Sequence, residues 1–174
     1  MSDRASIDQM DDQTILLILS HVTQELQEDL SQEQLGAIRS QDEARAAIVA
    51  LLNAAGENTA QLDAAQIIPE DEENPALSRG VLELLLNDEV AKPKAEELLT
   101  NPPEEEQMSV ALALGGAIIL GTLITWLQTK IKLKVSRKDG KTDFEFEMDK
   151  DKTDPETIKE VAKAIITLLG TTPL

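Results

Sequence analysis

Apolar positions in the first hundred residues recur with the 3.6-residue period of helices. Between Asp11 and Leu30, residues Ile15, Leu16, Ile18, Leu19, Val22 and Leu26 share one face and acids concentrate elsewhere, which predicts a first helix of about five turns. Ser31 with Gln34 three residues on has the form of a capping box and predicts a short second helix through about Arg39. A third starts at Ser40 or Gln41, buries Ala44, Ala47, Ile48, Leu51 and Leu52, and stops at Gly56. Residues 59–67 predict a shorter helix ended by Pro69, and an exposed acidic loop follows over 70–75. Leu77, Val81, Leu84, Leu85 and Val90 mark another helix, and Pro93 to Leu99 the last short one. The expectation is a helical bundle over residues 1–100.

Asn101-Pro102-Pro103 followed by three glutamates breaks this pattern, because consecutive prolines remove donors and hold the preceding residue extended. Residues 101–107, with Pro102 and Pro103 at their centre, therefore read as a linker and an accessible place to hinge or cut. Beyond residue 130 the period changes to two. Ile131, Leu133 and Val135 alternate with Lys132, Lys134 and Ser136, and Phe144, Phe146 and Met148 alternate with acids; Asp139-Gly140 between them predicts a tight β-hairpin. Lysines on one strand then face acids on the other, for a few tenths of a kcal/mol per pair, roughly. Asp154-Pro155-Glu156 supplies cap, first-turn proline and first-turn acid for a closing helix that buries Ile158, Val161, Ala162, Ile165 and Leu169. A hairpin and one helix have too small a core to stand alone, so residues 129–174 must lean on another part of the chain or on another subunit.

Between linker and hairpin, residues 108–127 carry no charge for twenty positions. A helix of that length spans about 30 Å, the thickness of a bilayer's hydrocarbon core. Trp126 falls at its end, with Lys130, Lys132 and Lys134 just outside, the arrangement of an interfacial anchor. Nine Leu, Ile or Val residues favour insertion by about 3–5 kcal/mol, and three glycines, a serine and two threonines offset part of it. Ala113, Ala117, Gly121 and Thr125 lie four apart on one face, a small-residue pattern that lets two helices pack closely in lipid and points to homo-oligomers. The expected architecture is therefore mainly α: an acidic bundle (1–100), the linker, an apolar transmembrane helix (108–128) and a hairpin-helix module. A helix of this composition is equally that of a buried core.

Charge sharpens this division. The formal net charge is −17, and residues 1–107 hold 24 acids against 6 bases whereas residues 128–174 hold 9 against 10. So acidic a field repels phosphate backbones, and with 2% aromatics there is little to stack on bases, so no nucleic acid is expected as a partner. A protein partner is. The chain has no cysteine and His21 alone as histidine, so thiolate nucleophiles, catalytic triads and zinc sites lack their parts; neither an enzyme nor a cofactor or metal site is expected. No basic start followed by an apolar stretch and a cleavage site opens the chain, so no cleaved signal peptide is expected. The six bases from Lys130 to Lys141, against Lys92 and Lys94, place the carboxy-terminal module in the cytosol if residues 108–127 span a membrane once.

The run from Leu123 through Trp126-Leu127 and its lysines, the charged hairpin with its Asp139-Gly140 turn, and the helix opened by Asp154-Pro155-Glu156 resemble the effector-associated constant component family of bacterial conflict systems. The resemblance covers about residues 108–170. It implies a non-enzymatic adaptor or effector of a bacterial defence system at the inner membrane, whose partner is a protease or nucleotide-binding sensor. The amino-terminal bundle is similar only in outline to death-fold-like adaptor domains. The competing expectation is a cytoplasmic protein–protein interaction module with the apolar helix as its core and the hairpin adding a strand to a partner's sheet.

Overall fold

The computed structural model describes residues 7–56, 75–102, 115–148, 151–152 and 155–169. Along the chain run α1 (Asp12–Glu28), α2 (Gln32–Leu35), α3 (Gln41–Ala54), α4 (Pro75–Leu86), α5 (Lys92–Thr100), α6 (Gly115–Lys130), β1 (Lys132–Lys138), β2 (Lys141–Met148), β3 (Asp151–Lys152) and α7 (Pro155–Leu169). The chain is mainly helical, with a hairpin and then a helix at its carboxy-terminal end. The helix expected over 59–67 lies outside the described residues.

The described residues form two compact units, each built from two stretches of chain. In the first, which runs to Glu28 and resumes from α4 to Trp126, α1 packs against α4 and α5, and these two pack against each other. Ile15, Ile18, Leu19, Val22 and Leu26 of α1 are fully buried, as are Val81, Leu82 and Leu85 of α4. Asp11 sets the start of α1, since its carboxylate accepts the Thr14 amide at 2.7 Å, a bond that also lowers the Asp11 pKa. Arg79 of α4 pairs with Asp12 and donates to the Met10 carbonyl at 2.7 Å, fastening that same turn. Asp88 accepts the Val90 and Ala91 amides at 3.1 and 2.9 Å and so holds the turn that leads into α5.

The transmembrane helix expected over 108–127 is not found among the described residues. Among the described residues no helix is long and apolar enough to cross a membrane. Residues 108–114 lie outside the described residues, and α6 covers sixteen residues ending in Gln128-Thr129-Lys130. Ile119, Leu120, Leu123, Ile124 and Leu127 are each at most 5% exposed, so their apolar surface is already covered by protein. A helix apolar on all sides has two homes, lipid or a protein interior, and here protein supplies the cover.

The second unit runs from Asp29 through α3 and resumes from Leu127 to α7, so α2 and α3 share it with the hairpin. α3 packs against α7 and β2, and α2 against β1. Ser40 caps α3 by accepting the Glu43 amide at 3.1 Å, and Gly56 beyond its end has φ +84°, the left-handed conformation that the sequence pattern asks for. β1 and β2 pair antiparallel with Leu133 opposite Phe146 and Lys134 opposite Glu145. Asp139 and Gly140 have φ of 54° and 76°, as the tight turn with two left-handed residues requires. A third strand absent from the expectation, β3, pairs only with Glu147 and Met148.

Candidate functional site

In the second unit a short, irregular segment is fastened along the outer edge of β1 by side chains. Ser31 caps α2 by accepting the Gln34 amide at 3.2 Å, as half of a capping box would. The reciprocal half is missing, because the Gln34 side chain turns instead to β1. Its Oε1 accepts the Leu133 amide at 3.2 Å and its Nε2 donates to the Leu133 carbonyl at 3.1 Å. One side-chain amide thus does what a residue of a neighbouring strand would do. Gln34 is 7% and Leu133 1% exposed, so no solvent replaces these bonds. The Gln34 carbonyl in turn accepts from Gln128 Nε2 at 2.7 Å. The second helix ends at Leu35 rather than near Arg39, and the chain turns at Gly36 and Ala37.

Four residues along β1 a second clamp closes. Arg137 donates from Nε to Glu43 Oε2 at 2.6 Å, from Nη2 to Glu43 Oε1 at 2.7 Å, and from Nη2 to the Ala37 carbonyl at 2.6 Å. Such a two-pronged pair fixes orientation as well as distance. The Arg39 amide adds a donor to Glu43 Oε1 at 2.8 Å. The Arg137 guanidinium is the main reason the Glu43 carboxyl titrates far below its usual range, at about 2, with the Arg39 amide adding to it against a smaller cost of burial. The same contact raises the Arg137 pKa. The hairpin's charged face is held in place by these two clamps: Lys134, Ser136, Asp143 and Glu145 are exposed on it, and Phe144 and Phe146 on the other face are half-buried.

The residues singled out in the sequence are placed as follows. Ala113 and Pro103 lie outside the described residues, Ala117 is within α6, and Pro102 is exposed. Gly121 is half-buried, with open space where a Cβ would stand, while Thr125 and Trp126 are 3% and 5% exposed. Lys130 is half-buried at the end of α6; Lys132 and Lys134 are on β1. His21 is half-buried in α1, and among the described residues no group of His, Asp or Glu is placed to hold a metal ion. Glu43 and Arg137 have no signal in the sequence pattern, and the role of Gln34 on β1 has none either. The only signal for Gln34 was its place in the capping box, and nothing in the spacing links Glu43 to Arg137, 94 residues later.

No protein-family model, curated protein or solved structure matches the chain.

Proposed function

We propose that the chain is a non-enzymatic adaptor that binds a protein partner through the solvent-facing side of its clamped hairpin, with α6 serving as core. The observation that favours this over a membrane-anchored effector is the near-complete burial of Ile119, Leu120, Leu123 and Leu127 by the chain's own protein. An adaptor needs a fixed pattern of polar groups rather than reacting ones. The two clamps on β1 hold such a pattern, with exposed Lys134, Asp143 and Glu145 carried on a short sheet. The resemblance of residues 108–170 to the effector-associated constant component family suggests a bacterial defence setting, with a triggered protease or nucleotide-binding sensor as partner.

Two measurements test this. Full-length protein washed with carbonate is expected in the aqueous fraction, and retention in the membrane overturns the core reading of α6. A photo-crosslinking residue at Lys134, introduced in cells that express the chain, is expected to trap one discrete adduct; a partner trapped only from sites in the first unit overturns the role of the hairpin.

A further inference from the structure

The two edges of the three-stranded sheet differ. Leu133 commits both its amide and its carbonyl to Gln34, so these groups point away from β2. In an antiparallel ladder the residue directly opposite, Phe146, then points away from β1, and by alternation so do Phe144 and Thr142. β3 is two residues long and pairs only with Glu147 and Met148. Among the described residues, therefore, no strand covers the amides and carbonyls of Thr142 and Phe144. The open edge extends over residues 141–145, roughly 17 Å at 3.4 Å per residue. On the β1 edge Gln34 pairs the Leu133 main chain and Arg137 reaches the Ala37 carbonyl; on the β2 edge, among the described residues, no strand or side chain does the same for Thr142 and Phe144.

Charge decides which strand fits there. Asp143 and Glu145 lie on the solvent face, and Phe144 and Phe146 are half-exposed on the other. A second copy of β2, paired antiparallel about its middle, brings acid against acid on the solvent face, which repels. The complement that β2 already accepts on its other edge is β1, which sets Lys134 opposite Glu145 and Leu133 and Val135 opposite Phe146 and Phe144.

We infer that the open edge of β2 captures an extended segment of a partner protein in which Lys or Arg alternates with apolar residues, adding a strand to the sheet. This rests on the adaptor reading and specifies the partner's chemistry. Main-chain bonds at Thr142 and Phe144 hold the segment, and the acids at 143 and 145 select it.

The probe is a labelled peptide copying residues 131–137, Ile-Lys-Leu-Lys-Val-Ser-Arg, titrated with the full chain at low salt. Saturable binding is expected, at least about tenfold tighter than that of the same peptide with both lysines changed to glutamate, since opposite charges across a ladder attract and like charges repel. Hydrogen exchange at the Thr142 and Phe144 amides is expected to slow on binding, while Leu133 keeps its protection. Thr142→Pro removes only an outward-pointing donor and is expected to abolish binding; Asp143→Lys with Glu145→Lys, which leaves every main-chain donor in place, is expected to reverse the preference between the two peptides. Equal binding of both peptides, loss of protection at Leu133, or a chain dimer dissolved by Thr142→Pro overturns the inference. Absence of peptide binding alongside an adduct at Lys134 in cells refutes the strand-capture inference while leaving the adaptor reading standing.

Discussion

Replacing Gln34 by Ala isolates the contribution of a side chain that stands in for a strand. The substitution removes one acceptor and one donor, and Leu133, 1% exposed, is left with an unpaired amide and an unpaired carbonyl. A buried main-chain group without a partner costs about 1–3 kcal/mol. Two such groups would cost about 2–6 kcal/mol, and entry of a water into the space vacated by the side chain lowers this toward about 2–4 kcal/mol. The contact from Gln128 is unaffected, because it goes to the Gln34 main-chain carbonyl, which Ala keeps. In urea unfolding, a loss of about 3 kcal/mol moves the midpoint down by roughly 1–2 M at the slopes usual for small domains. The amide of Leu133 should lose its exchange protection in the same variant.

Gln34→Glu refines the test. A carboxylate still accepts the Leu133 amide but meets the Leu133 carbonyl with no proton to give. The buried carboxyl then has a folded-state pKa above its unfolded value, so the variant regains stability as the pH falls from 7 toward 5. A Gln34→Ala variant within about 0.5 kcal/mol of the parent, the range of ordinary surface substitutions, refutes the whole argument.

The Glu43–Arg137 clamp predicts a pH dependence of known sign. Glu43 is depressed from an ordinary 4.5 to about 2, so its contribution is complete above the unfolded value and is lost as pH falls through the interval between them. The stability advantage of the parent over Glu43→Gln at pH 7 should shrink steadily as pH falls from about 4.5 through about 2 in acid-unfolding curves, and a constant difference contradicts the assignment. In the first unit, Thr23 and Thr122 bring their hydroxyl oxygens to 2.7 Å. Either residue changed to Val should cost about 1 kcal/mol, and both together clearly less than the sum, by thermal unfolding of the four proteins of the cycle. Gly121→Ala should raise the stability by about 0.5–1 kcal/mol, because a Cβ there meets nothing within 4 Å and a helix interior favours Ala. A loss of stability at Gly121 would mean that this face is covered by another molecule.

Much of the secondary structure was legible from local signals. Ser40 capping α3, Gly56 stopping it, and Asp139-Gly140 turning the hairpin are each fixed by one or two neighbouring residues, so their chemistry survives in the sequence as a readable pattern. Gln34 shows where that legibility stops. Its spacing from Ser31 satisfied the capping-box pattern, and the Ser31 hydroxyl does accept the Gln34 amide, but the Gln34 side chain serves a strand 99 residues away. The local pattern fixes only which bonds are available nearby; the burial of the Leu133 main chain makes the distant bond the more valuable one, and burial is a property of the assembled unit.

The apolar segment is ambiguous for a related reason. Hydropathy measures what a residue avoids, and twenty uncharged positions avoid water whether lipid or protein replaces it. The features that favoured lipid were its length, the tryptophan at its end and the lysines beyond, and each has a second use in a protein interior. Trp126 is 5% exposed, Lys134 stands opposite Glu145 on the hairpin, and Thr122 is fully buried against Thr23. The Thr122 hydroxyl donates to the Ile118 carbonyl at 2.8 Å and also meets the Thr23 hydroxyl of α1. Sequence shows that a threonine is there, but only the packing of α1 against α6 shows what it is for.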